Sequence, residues 1–147
     1  MTEATYGRMG VARAYALIFG IAYLAVAVLE LFFRTDDPLA IGGTAIVAGG
    51  TVHIVIHFAV AALVLGSYVA GEAAARIVAR IVGITFVVVS LLNVFAGDLY
   101  WDLVAGGTLG AQESGTPVAY SIVHIATALA ALYAGFATRA GYRPATA

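Results

Sequence analysis

Four apolar stretches, 14–33, 51–70, 81–97 and 118–138, run through the chain. A helix needs about 20 predominantly apolar residues to cross ~30 Å of hydrocarbon. In lipid every backbone amide must be paired internally, which leaves helices or a closed barrel. A barrel would show segments of about ten residues alternating in polarity rather than four unbroken blocks. The expected fold is therefore an all-α, four-helix transmembrane bundle, one membrane domain over residues 1–147. Composition agrees: 63% of the residues are hydrophobic and 10% charged, against roughly 45–50% and 25% in soluble domains. Disorder is excluded by the same figures. The absence of cysteine excludes a disulfide framework, a thiolate zinc site, an iron–sulfur cluster and c-type haem attachment.

Arginine placement gives the expected orientation. Arg8 and Arg13 precede the first span, Arg76 and Arg80 lie between the second and third, and Arg139 and Arg143 follow the fourth. Only Arg34 lies on the other side, among Asp36, Asp37, Asp98, Asp102 and Glu113. The positive-inside rule then predicts cytoplasmic termini, external loops over 34–50 and 98–117, and a multi-pass protein of the inner (plasma) membrane. The basic residues are scattered, so no nucleic-acid partner is expected. Ala25-Val26-Ala27 resembles a signal-peptidase site, but the apolar run continues to Phe33, so the first span is expected to stay uncleaved.

The two halves of the chain resemble each other. A shift of 63 residues places Arg13 on Arg76, Ala16 on Ala79, Gly20 on Gly83, Tyr23 on Phe86, Ala27 on Ser90 and Glu30 on Asn93. A shift of 67 places His57 on His124 and Ala59 on Ala126. This pattern predicts two tandem helical hairpins about a pseudo-twofold axis along the membrane normal. The shared positions recur every three or four residues, so each set forms one helical stripe of small or polar side chains. Such stripes suit close helix packing. Gly20, Gly83 and Asn93 are thus expected to serve structure.

The intramembrane polar residues carry the only candidate chemistry. At 1.5 Å per residue, Glu30, His53, His57, Asn93 and His124 fall at one depth, in the outer part of the membrane. Ionisable groups there are costly and face the bundle interior. The spacing of His53 and His57 puts two imidazoles on one helix face. One reading, placed first, is a hydrogen-bonded network that locks the hairpins together without a cofactor. A second is a metal ion held by His53, His57 and His124 with Glu30 as ligand or supporting carboxylate. A third is haem b with His57 and His124 as axial ligands. Proton or solute passage ranks below these, because Ser67, Tyr68, Thr127 and Tyr133 are the main polar groups towards the other face. Asp98 to Asp102 is expected to be an interfacial helix with Tyr100 and Trp101 at headgroup level. Glycines at 106, 107, 110 and 115 loosen one outer loop, those at 42, 43, 49 and 50 the other, and Pro117 opens the last span.

Arg13 and Gly20 in the first span, His53-x3-His57 opening the second and a lone His124 early in the fourth resemble a family of small bacterial four-span proteins catalogued as domain of unknown function 4383. That family often has an asparagine where this chain has Ile54 and an aspartate where it has Tyr120. The resemblance implies a four-helix membrane protein and no activity. With neither a nucleophile elbow nor a phosphate-cradling loop in the sequence, the expected role is non-catalytic: a scaffold or accessory subunit of a larger membrane complex, or a homo-oligomer. Its expected partners are the lipid bilayer and other membrane proteins.

Overall fold

The computed structural model describes residues 9–34, 37, 39–41, 44–47, 50–95 and 116–137. Four helices, α1 (Val11–Phe32), α2 (Thr51–Ala70), α3 (Glu72–Phe95) and α4 (Thr116–Phe136), form the expected four-helix bundle. α1, α2 and α3 are each long and apolar enough to cross a membrane, and the chain is a membrane protein. Its side chains are arranged accordingly. Phe32, Val69 and Phe95 point outward at 72%, 80% and 82% exposure, whereas Glu30 is 2% exposed inside the bundle.

α2 has the expected bounds, but α3 begins at Glu72, well before the apolar stretch that opens near Ile81. Glu72-Ala73-Ala74-Ala75 is a run of strong helix formers, so the helix extends past the apolar block. Gly71 alone makes the turn between α2 and α3, with φ 106°, a left-handed conformation that costs glycine little. Its N–H donates to Ser67 O at 3.1 Å and closes α2.

The described residues between α1 and α2 include a short hairpin. Strands β1 (Leu39–Ile41) and β2 (Thr44–Val47) pair antiparallel, with Ile41 opposite Thr44 and an irregularity between Leu39 and Ala40. In the sequence Gly42-Gly43 stands between them, a dipeptide that two-residue hairpins favour. β2 lies against α1 and α4. Pro117 falls in the first turn of α4 as expected. The expected interfacial helix around Tyr100 and Trp101, and the glycines at 106, 107, 110 and 115, lie outside the described residues.

α1 packs mainly on α2, and α3 mainly on α4; α1 and α3 also meet across the middle. The two principal contacts are built alike. A Cβ on Gly20 would stand 2.7 Å from Leu65 Cγ, and one on Gly83 2.8 Å from Leu132 Cγ. Both glycines are therefore where helices cross closely, and a leucine at either would have to displace a packed neighbour. Ala16, Ala79, Ala128 and Ala131 are fully buried around these crossings, as close packing in lipid favours. An aromatic row runs through the core. Tyr15 stacks on Phe19 (centroids 4.7 Å), and Tyr23 meets Phe86 edge-on at 5.8 Å, where α1 faces α3.

One end of the bundle is held by charges acting on helix termini. Arg13 Nε donates to Tyr68 O near the end of α2 (3.1 Å), and Arg80 Nε donates to Gly135 O near the end of α4 (2.9 Å). Each guanidinium also covers an aromatic ring, Tyr68 at 4.9 Å and Phe136 at 4.6 Å. A cation at a helix C-terminus satisfies carbonyls that have no partner within the helix. Glu72 does the converse for α1, whose own N-cap, Gly10, has no side chain to offer. Its carboxylate accepts from Ala12 N–H (3.3 Å), Arg13 N–H (3.0 Å) and Arg76 Nε (3.3 Å). A side chain at Gly10 would collide with this carboxylate. The opposite end, where α1 stops and α2 and α4 start, carries the histidines.

Candidate metal centre

Glu30 lies in the last turns of α1, and His53 and His57 in the first turns of α2. Because α1 and α2 are antiparallel neighbours, these three residues reach the same level. His57 Nδ1 donates to Glu30 Oε2 at 2.8 Å, and His53 Nδ1 donates to Glu30 Oε1 at 3.0 Å. One carboxylate thus serves two imidazoles four residues apart, whose ring centroids are 4.2 Å from each other. An ionised carboxylate only accepts. Nδ1 of each ring is thus turned to the carboxylate, and Nε2 is the ring nitrogen on the far side from Glu30.

His124, from α4, completes the group. One ring nitrogen from each of His53, His57 and His124 lies within 4.8 Å of the other two, and all three side chains are buried. The ring of His124 is fixed edge-on against Phe86, centroids 5.3 Å apart. Phe86 thus connects the histidine group to the aromatic row of the core. The four residues singled out from sequence, Glu30, His53, His57 and His124, are brought together. Asn93 is buried at the same end on α3, while Gly20 and Gly83 stand apart from the cluster at the helix crossings.

The polar groups expected nearer the other end are engaged elsewhere. Ser67 Oγ donates to Val64 O (2.7 Å) and Thr127 Oγ1 to Val123 O (2.9 Å), so both hydroxyls are satisfied within their own helices. Tyr68 lies under Arg13, and Tyr133 is 70% exposed on the outer face. Sequence reasoning missed the buried pair Tyr15 and Tyr23, whose hydroxyls bond each other at 3.1 Å. The signal available was the spacing of Tyr15, Phe19 and Tyr23, which puts three aromatics on one face of α1.

Chemically, three imidazoles around one small volume, backed by a buried carboxylate, form a borderline-soft donor set suited to zinc, copper, cobalt or nickel ions. Comparisons with protein-family models, with curated proteins and with solved structures found no match to this chain.

Proposed function

We propose that this is a four-span membrane protein that binds one divalent transition-metal ion through His53, His57 and His124. The observation that carries the reading is the single carboxylate of Glu30 accepting from Nδ1 of both His53 and His57. Metal-ligating histidines commonly give their second ring N–H to a carboxylate, which fixes the tautomer and makes the ligating nitrogen more basic. Here Nε2 of His53 and Nε2 of His57 would ligate, with His124 as the third donor and Glu30 behind them. A haem fits less well. Its macrocycle would have to lie between His57 and His124, where the nitrogen of His53 is also gathered. The ion's chemical role would be that of a site with three protein ligands, which leaves one tetrahedral position open.

The test is loading. Protein purified in mild detergent and incubated with Co²⁺ or Zn²⁺ should retain about one equivalent after desalting, and His124→Ala should retain almost none. Wild-type protein that retains no metal would reduce the cluster to a hydrogen-bonded lock between α1 and α2. The scaffold or complex-subunit role would then be the better reading.

We also infer that the arginine end faces the cytoplasm and the histidine end the outside. The supporting observation is that Arg13, Arg76 and Arg80 gather at one end while the sequence leaves Arg34 alone at the other. Cysteines placed at Gly43 and Gly110 should react with an impermeant thiol reagent in intact cells, and one at the exposed Ala73 should not. The opposite labelling pattern would invert the orientation. Duplication of one hairpin is supported by the matched Gly20–Leu65 and Gly83–Leu132 contacts, whose members differ by the same 63 and 67 residues as the sequence repeat. Membership of the bacterial four-span family enters as a proposal on the same histidines. A solved member without three convergent histidines at one end would refute it.

A further inference from the structure

We propose that the arginine end of the bundle binds the headgroup of an anionic phospholipid, held at the flank of α3 by Arg76 and Arg80. Arg13, Arg76 and Arg80 gather here around one carboxylate, Glu72. A guanidinium in a protein stays charged, so three cations and one anion leave positive charge in excess. The adjoining stretches 1–8 and 138–147 contain Arg8, Arg139 and Arg143 but one acid, Glu3. Whatever their course, their side chains add to the excess rather than cancel it. Asp36, Asp37, Asp98, Asp102 and Glu113 belong to the stretches that join helices at the histidine end.

The internal repeat shows where the extra charge enters. In the first hairpin Arg13 Nε holds the carbonyl of Tyr68, and the shifts of 63 and 67 carry this pair onto Arg76 and Gly135. Yet Gly135 O is held by Arg80, one turn further along α3, where the first hairpin has Leu17. Arg76 gives its Nε to Glu72 at 3.3 Å instead, and Glu72 already accepts from two N–H groups of α1. The second hairpin thus uses two cations where the first uses one. Arg76 and Arg80, four residues apart, share a face of α3. Beside them Ile77 and Ile81 are 57% and 52% exposed, and Phe136, under the Arg80 guanidinium, is 58% exposed. Cations therefore stand directly next to side chains that face acyl chains. The planar guanidinium matches phosphate oxygens in a two-pronged pairing, and basic sites at the ends of transmembrane helices take acidic headgroups. A free phosphate would use the charges but not the apolar flank, so the ligand is a lipid.

Phosphatidylglycerol added to the full-length protein in a neutral detergent should raise its thermal midpoint saturably, since a ligand that binds only the folded state stabilises it. Phosphatidylcholine at the same mole fraction should not. Added salt should move the half-effect to higher phosphatidylglycerol concentration. Arg76→Gln should raise that concentration about fivefold, the usual share of one arginine at an anionic membrane surface. Arg34→Gln removes the same charge at the histidine end and should leave it unchanged. Equal responses to the two lipids would overturn the proposal. So would inorganic phosphate that reproduces the whole effect of phosphatidylglycerol, or a loss as large in Arg34→Gln as in Arg76→Gln. Should Arg76→Gln not fold, the comparison of the two lipids on the wild type, with its salt dependence, decides alone.

Discussion

Glu30→Ala should unfold in detergent at markedly lower temperature than wild type, with a loss of about 2–4 kcal/mol, since two buried N–H groups lose their acceptor at about 1–3 kcal/mol each. The change deletes the acceptor for both His53 and His57 and leaves two buried N–H groups on α2 without the side chain that ties them to α1. Glu30→Gln separates stability from metal affinity. The amide keeps the shape of the side chain and one acceptor, so one histidine keeps its tautomer. The other would meet an N–H and must turn its own proton to Nε2, where a ligand needs a lone pair. Stability should therefore fall by only about 1 kcal/mol, while metal affinity drops roughly 10–100-fold, the usual effect of losing a supporting carboxylate. Equal thermal midpoints for Glu30→Ala and wild type would show that the pairing contributes nothing to the fold.

The second large effect is expected at the other end. Glu72→Ala removes the carboxylate that accepts from two N–H groups at the start of α1 and from Arg76. α1 has no N-cap side chain of its own, and losing a capping group costs roughly 0.5–2 kcal/mol. The Arg76 contact and the charge at the start of α3 add to this, for a total of about 2–3 kcal/mol. Glu72→Asp should be intermediate. It retains the negative charge in the first turn of α3, but is one methylene too short to reach Ala12 and Arg13 in their present positions. Thermal unfolding of the two variants decides, and an alanine variant as stable as wild type would mean that α1 finds its cap elsewhere.

The parts of this structure that were legible in the sequence are those fixed by the solvent. A bilayer demands a stated length of apolar helix, so the bounds of α2 follow from hydropathy alone. Polar groups stranded in such helices must face inward, so Glu30 and the histidines could be grouped by depth before any distance was known. What could not be read is what depends on backbone partners. Arg13 and Arg80 were visible as charges on one side, but their acceptors are the carbonyl oxygens of Tyr68 and Gly135, which no side-chain pattern marks. The start of α3 was missed because hydropathy measures the membrane and not the helix, and Glu72-Ala73-Ala74-Ala75 continues the helix beyond the apolar block. The sharing of Glu30 between His53 and His57 was also hidden, since the i, i+4 spacing shows that two rings share a face but not that they share a proton acceptor.

Gly71 has a mechanical consequence. It is the entire connection between α2 and α3, and beside it Glu72 and the arginines bind the ends of all four helices to one another. At the opposite end the helices are joined through much longer stretches of chain. The two hairpins are thus joined through the shortest link at the arginine end. Any relative movement of the two hairpins has its short arm there and its long arm at the histidines. A small rotation about Gly71 would separate His124 from His53 and His57 far more than it would disturb a single bond at the pivot.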